Sequence, residues 1–304
     1  MNCNTIRLWS WDPNADHEAF LDACYNNGNK PIYVISGLWV GGDLSDPSVR
    51  QYYKDQFQIM VSRHKDHPAI LMWAFGNEVN YTPYKAQFFT LLNEAAQLAH
   101  AEEGVFHHPV ATANGEVSDI FAYNSSLPDL DVWGVNVYRG VSKKSGQKDM
   151  GNFFNEYASA SAKPMVLTEF GIDALKNDAV PPQEYELVAP FTPEQANYDA
   201  AEWDQIRANQ TICSGGCIMA YSDEWWKADY DSTHDNGGYP NTGPDHFSNE
   251  EWYGIMRTTK NGTPGQPDSM YPRAVYYVMQ ERWEDAPQPK MSSLTVPWFA
   301  DQKK

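Results

Sequence analysis

The chain has 304 residues, 42% of them hydrophobic and 20% charged, enough for one large domain or two small ones with a full core. Its formal net charge is −18, and no Lys/Arg block interrupts the acidity. That balance disfavours a nucleic-acid backbone or an anionic membrane surface as partner, and no run of about 20 apolar residues offers a membrane span.

Short apolar runs alternate with longer amphipathic ones. Thr5–Trp9 reads as a strand and Asp16–Asn27 as a helix ending at Asn27-Gly28. Pro31–Ile35 is a strand, and Pro47–Lys65 a helix with apolar positions at Tyr53, Phe57, Met60 and Val61. Strand Ile70–Phe75 precedes helix Pro83–Glu103, closed by Gly104. Pro109–Thr112 and Val132–Val137 are strands, with helix Phe153–Ser161 after the second. Strand Met165–Thr168, helix Pro193–Asn209, strand Cys217–Tyr221 and helix Arg273–Trp283 complete the pattern. Strands that are apolar throughout and separated by helices point to an α/β fold with a parallel sheet wrapped in helices.

The count is seven strands, one short of a closed eight-stranded barrel. The shortfall falls at the N-terminus, where Met1 opens almost directly on a strand. The expected fold is therefore a (β/α)8 barrel of the TIM type lacking its first strand, with a doubly wound open sheet as the alternative. Residues 1–285 form the barrel, and 286–304, rich in Pro, Lys and Ser, read as a poorly ordered C-terminal extension.

Cys3 with Cys24, and Cys213 with Cys217, are the pairings open to four cysteines whose spacing fits neither a zinc ribbon nor a redox motif. Sequons begin at Asn80, Asn124, Asn209 and Asn261. They tilt the expectation toward a secreted or cell-envelope protein, although no signal peptide is visible. Asp223, Glu224, Asp229, Asp231, His234 and Asp235 offer metal-ligand atoms in a long loop without EF-hand spacing. They read as solvated carboxylates, and no metal or cofactor is expected. His107-His108, before Pro109, reads as the cap of a helix-to-strand turn.

The chemistry-bearing signal lies at two strand ends. Ile70–Phe75 runs into Gly76-Asn77-Glu78, and Met165–Thr168 runs into Glu169-Phe170-Gly171. A single glutamate at a strand end is more often an ion pair or a helix cap. Two of them, at the sheet edge where barrels of this type place their sites, form the minimal apparatus for cleaving a glycosidic bond. One carboxyl must stay protonated and the other ionised, which requires unlike surroundings. Aromatic residues make up 14% of the chain, with 11 Trp and 18 Tyr, and suit a cleft that stacks against sugar rings. An oligosaccharide or polysaccharide is the partner this composition favours.

Asn77-Glu78 and Thr168-Glu169-Phe170-Gly171 resemble the acid/base and nucleophile strand ends of the retaining glycoside hydrolase clan A, which includes families 2, 5, 17 and 72. Asn4–Trp9 with Asp12-Pro13, His67–Ile70 and Trp133–Tyr138 resemble the family 72 β-1,3-glucanosyltransferases. Tyr221–Lys227, Ser248–Trp252 and Arg273–Tyr277 resemble family 2-type catalytic barrels, so the resemblance spans residues 4–283. It implies that Glu78 is the general acid/base and Glu169 the nucleophile. Asn77 would bind the sugar 2-hydroxyl, Arg7 would keep Glu169 ionised, and Tyr138 would donate to Glu169. Trp225 or Trp226 would floor a sugar subsite, and Trp9, Trp11, Trp39 and Tyr123 are candidates for outer subsites, core packing being equally open to each. The implied activity is retaining hydrolysis or transglycosylation of β-glucan, β-1,3-glucan first. A β-mannan-active glycosidase and an inactive carbohydrate-binding barrel are the alternatives.

Overall fold

A computed structural model describes residues 1–139, 150–179, 181–187, 194–227, 234, 238–240, 247–263 and 265–284. The extension expected over 286–304 lies outside them, as do Asp229, Asp231 and Asp235. Seven parallel strands form one sheet in sequence order: β1 (Thr5–Leu8), β2 (Tyr33–Leu38), β3 (Ile70–Asn77), β4 (Val110–Gly115), β5 (Val132–Asn136), β6 (Met165–Phe170) and β9 (Cys213–Ile218). Between β6 and β9, β7 (Leu175–Lys176) and β8 (Gln183–Glu184) make a small hairpin. After β9, β10 (Gly238–Pro240) pairs with β11 (Phe247–Asn249), and β12 (Met256–Thr259) with β13 (Ser269–Pro272).

The helices are α1 (Glu18–Tyr25), α2 (Pro47–His64), α3 (Lys85–Glu103), α4 (Ser118–Tyr123), α5 (Phe153–Ala160), α6 (Glu194–Ala208) and α7 (Ala274–Glu284). Their starts and buried faces follow local chemistry. The Asp46 side chain accepts the Ser48 N–H ahead of α2 and Pro47 fills the first turn, while Phe57, Met60, Val61 and His64 form its buried stripe. Strands β2 to β6 alternate between two cores. Val34, Trp73, Phe75, Val110, Trp133 and Leu167 pack outward under the helices, whereas Ile35, Met72, Ala74, Ala111, Val132 and Val166 fill the barrel interior.

The two ends of the sheet, β1 and β9, come into contact without a ladder between them, so the barrel is nearly closed. All four residues of β1 are half-buried, as are Gly215–Ile218 of β9, in contrast to the buried inner strands. This is the TIM-barrel fold expected from the sequence, with seven strands among the described residues. Two expectations change. The last strand begins at Cys213, four residues earlier than the apolar run suggested, because Gly215-Gly216 lies within the strand. Phe170 and Ile206 pack where a Gly216 side chain would stand. All four cysteines are free thiols. Cys213 and Cys217 share one extended strand, which sets their Cα atoms roughly 13 Å apart, beyond disulfide reach.

In the loops after β9, Arg273 is 1% exposed and donates to both carboxylate oxygens of Asp223 at 2.6 and 2.9 Å, and to Glu184 at 3.4 Å. Asp223 also accepts the Gly254 and Thr258 N–H groups. It is a buried ion-pair partner rather than the solvated loop carboxylate expected from sequence. Arg273→Met would strand a buried carboxylate and is expected to destabilise the fold by about 3–5 kcal/mol, measured by urea unfolding. Arg273→Met/Asp223→Leu should recover part of that loss.

Candidate active site

Backbone irregularity at the end of β3 delivers Glu78. The β3–β4 register shifts between Ala74 and Asn77, and Gly76 makes the shift with φ +80° and the Phe88 ring where a Cβ would stand. Glu78 follows at φ +54°, a left-handed conformation that costs a non-glycine residue about 1–2 kcal/mol. Its N–H bonds to the Ala113 carbonyl at 2.7 Å, and its carbonyl accepts the Tyr81 N–H, opening the 3-10 turn Val79–Tyr81. Glu169 lies within β6, where its carbonyl accepts the Val137 N–H at 2.9 Å. Strained backbone of this kind gathers at functional sites.

One hydrogen-bond chain joins the two carboxylates. Asn136 Nδ2 donates to Glu78 Oε1 at 3.0 Å and to Asn77 Oδ1 at 3.3 Å. Arg7 Nη2 donates to the same Asn77 oxygen at 2.6 Å, and Arg7 Nη1 to Glu169 Oε1 at 2.8 Å. Tyr138 donates its hydroxyl to Glu169 Oε2 at 2.7 Å. Thr168 Oγ1 fixes Asn136 by donating to its Oδ1 at 2.7 Å. The structure thus brings Arg7, Asn77, Glu78, Tyr138 and Glu169 together. Asn136, which the sequence analysis left unassigned, sits at the centre, and its position directly before Val137-Tyr138 at a strand end was the available signal.

The surroundings of the two glutamates differ. Burial pushes the Glu78 carboxyl above its ordinary range, and the Glu169 and Glu250 charges add to this. The Asn136 hydrogen bond and the Arg7 charge oppose it. Glu169 instead accepts from a guanidinium and a phenol. Tyr138 is raised well above its usual value, first by burial and then by Glu169, so it stays a donor. The pair offers a carboxyl biased toward its acid form beside a carboxylate fixed by a cation. That is the division of labour needed to protonate a leaving oxygen and attack a carbon.

A cavity of about 1450 Å³ is lined by Arg7, Asn77, Glu78, Tyr138 and Glu169, with Asn136 buried behind them, and continues past β1 and β9 into the barrel interior. Glu224, Lys227, Ser248, Glu250 and Tyr253 line it from the loops after β9. Trp225 and Trp226 are not among the lining residues. Trp225 packs on His234, itself stacked on Trp252, and Trp226 is 49% exposed. The exposed part of the aromatic lining comes instead from Trp9, Trp39, Tyr81 and Tyr221. Trp39 lies against Gly41 and Tyr81 against Gly115 where a Cβ would clash, so both rings rest on bare backbone. Trp11 is buried, and Tyr123 stacks on Phe89 away from the cavity. Asn80 is buried against Gly115 and Asp119, which removes that sequon from the surface.

Residues 36–237 match the description "Glycosyl hydrolases family 2, TIM barrel domain". The chain is 25% identical over 246 residues to the 1,3-beta-glucanosyltransferase gas5 of Schizosaccharomyces pombe, covering 74% of this chain and 44% of that protein. It is 24% identical over 184 residues to the mannan endo-1,4-beta-mannosidase F of Aspergillus fumigatus, covering 54% of this chain and 39% of that protein. It therefore spans less than half the length of these curated relatives. A Bifidobacterium dentium beta-glucuronidase structure superposes with a TM-score of 0.64 at 17% identity, covering 94% of this chain and 42% of that one, a likeness of fold. With two-thirds of its length inside one family description, the chain belongs to the TIM-barrel domain family of the family 2 glycosyl hydrolases.

Proposed function

We propose that the protein is a retaining glycoside hydrolase or transglycosylase acting on β-glucan, with β-1,3-glucan as its first substrate. The observation that carries this reading is the continuous chain from Glu78 through Asn136, Asn77 and Arg7 to Glu169 and Tyr138. In the first step a Glu169 oxygen attacks the anomeric carbon while Glu78 protonates the departing glycosidic oxygen, leaving a glycosyl ester on Glu169. In the second, Glu78 takes a proton from water or an acceptor hydroxyl, whose oxygen attacks the same carbon and expels Glu169. Hydrolysis and transfer share the ester and differ only in the acceptor. The Asn77 amide oxygen is occupied by Arg7 and Asn136, which leaves its Nδ2 to donate to the sugar 2-hydroxyl.

The glucanosyltransferase relative and the exposed aromatic lining support a β-glucan substrate. Glu224 and Glu250, both on the cavity, add negative charge and favour a neutral sugar over a uronate. A β-mannan-active glycosidase is the second reading, favoured by the mannosidase relative. The third, an inactive carbohydrate-binding barrel, is opposed by the two unlike carboxyl environments.

Reducing-sugar release from laminarin, lichenan, carboxymethyl-cellulose and mannan tests the assignment. Laminarin should give the highest rate, Glu169→Gln should fall to background, and Glu78→Gln should lose about 10²- to 10⁴-fold. Proton NMR of the first product should show the β-anomer. Equal background signals from wild type and Glu169→Gln would end the enzyme reading, and a first-formed α-anomer would end the retaining one.

The raised Glu78 sets a pH expectation. A general acid works while protonated, so kcat/KM should fall as pH rises through the elevated value of this carboxyl. The Asn136 hydrogen bond favours the ionised form, so Asn136→Ala should move the alkaline limb to higher pH as well as slow the reaction. A limb that stays in place would assign it to another group.

Trp39, held on Gly41, is expected to act on long substrates. Trp39→Ala should raise KM for laminarin oligosaccharides about two- to tenfold, with an aryl monoglucoside little affected. Equal effects on both substrates would place Trp39 at the reacting sugar instead.

A further inference from the structure

At the opposite end of the strands from Glu78 and Glu169, three groups on separate elements converge. His100 lies in the last turn of α3, His107 follows the 3-10 turn Gly104–Phe106 that leads to β4, and Asp131 precedes β5. None of them lines the cavity. The two imidazole rings lie 3.8 Å apart between centroids and 30° from parallel. His100 Nε2 is 2.8 Å from Asp131 Oδ2, and His107 Nε2 is 3.9 Å from Asp131 Oδ1. One ligand atom from each residue falls within 4.8 Å of the others.

The protonation pattern gives this cluster its meaning. His107 Nδ1 is 3.2 Å from the Gly104 carbonyl, which can only accept, so the proton resides on Nδ1. In the neutral ring, Nε2 then presents a lone pair toward a carboxylate oxygen beyond hydrogen-bond distance. Two acceptors facing each other across 3.9 Å is an arrangement that a cation between them would stabilise. A backbone carbonyl holding one imidazole nitrogen so that the other faces an ion is the usual outer-shell device of metal-binding histidines. The Asp131 carboxylate is itself positioned, since its Oδ2 accepts the Val110 N–H at 2.8 Å and leaves Oδ1 to the ion.

We propose that His100 Nε2, His107 Nε2 and Asp131 Oδ1 form a divalent transition-metal site, with zinc the ion that its donors fit. Two imidazoles and one carboxylate suit zinc, whereas calcium and magnesium take oxygen ligands. Tetrahedral zinc at its usual bond lengths sets ligand atoms about 3.3 Å apart. His107 Nε2 lies 3.9 Å from Oδ1 and His100 Nε2 lies 2.8 Å from the adjacent Oδ2, so a small rotation of the carboxylate and the rings would seat the ion. All three side chains are partly exposed, which leaves the fourth position to water. On binding, the ion replaces the proton that His100 Nε2 donates to Asp131, and this proton is released to solvent. The site ties the end of α3 to the starts of β4 and β5, the face of such a barrel that serves stability rather than chemistry.

The test uses the full chain freed of metal with a chelator, then titrated with zinc chloride by calorimetry and followed by thermal unfolding. Wild type should bind zinc at this site with one ion per chain, and its Tm should rise about 4 °C at a hundredfold excess over Kd. His107 lies on a surface turn, so His107→Ala should fold with an unchanged circular dichroism spectrum. It should lose affinity at least about tenfold, and His100→Ala should repeat the loss. His67→Ala, which removes a histidine outside the cluster, should bind as wild type does. Zinc affinity unchanged in both His107→Ala and His100→Ala, or a wild-type Tm that zinc does not raise, would overturn the proposal.

Discussion

Arg7 holds the ends of two strands from a strand at the sheet's edge. Its guanidinium reaches Glu169 on β6 with one nitrogen and Asn77 on β3 with the other. A planar fork can satisfy two acceptors at fixed angles, which the single ammonium of lysine cannot reproduce. The Arg7 and Glu169 side chains are only 5% and 15% exposed, so each charge depends on the other in a poorly solvated space. Because Arg7 is inward-pointing opposite Ile35 in the β1–β2 register, its aim is set by strand pairing. The geometry of the site therefore rests on β1 staying paired with β2, although no residue of β1 is fully buried.

The same scaffold gives two glutamates unlike environments through backbone detail. Glu169 lies within extended β6, where the pairing shifts register toward both β5 and β9, and meets Arg7 and Tyr138 directly. Glu78 stands one residue beyond β3 in a left-handed conformation, where burial raises it and Asn136 partly restrains it. Asn136 links the two strand ends, since it donates to Glu78 and Asn77 at once and is itself held by Thr168, the residue before Glu169. Glu78, Asn77 and, through Arg7, Glu169 are thus parts of one hydrogen-bonded unit. Moving any strand end would disturb all three.

Much of this arrangement was legible in the sequence because it is local. Seven apolar runs became seven strands in order, and Arg7, Asn77, Glu78, Tyr138 and Glu169 all stand at or beside strand ends that such runs announce. What depended on long-range packing was not legible. Trp225 and Trp226 follow the last strand as a subsite floor would, yet the chain turns and sends Glu224 and Lys227 to the cavity instead. The Asp223–Arg273 pair spans 50 positions, and nothing local distinguishes it from a solvated loop acid. The start of β9 was misplaced because a Gly-Gly pair reads as a turn, whereas here it lets Phe170 and Ile206 close over the strand.

The Asp223–Arg273 pair also explains how the barrel tolerates its strained rim. The left-handed Glu78 and the clustered Glu78, Glu169, Glu224 and Glu250 carboxyls all oppose stability, and burial raises Glu224 as it raises Glu78, with Lys227 pulling the other way. Compensation has to come from groups outside the cavity that nonetheless fix its walls. Arg273 does this directly. It clamps Asp223, the neighbour of Glu224, and bonds the Gly254 carbonyl beside the cavity-lining Tyr253. A fully buried, multiply bonded ion pair costs much to assemble and more to break. It therefore gives the last strand's loop one geometry rather than several, and this holds Glu224 on the wall of the cavity that Glu78 and Glu169 also line.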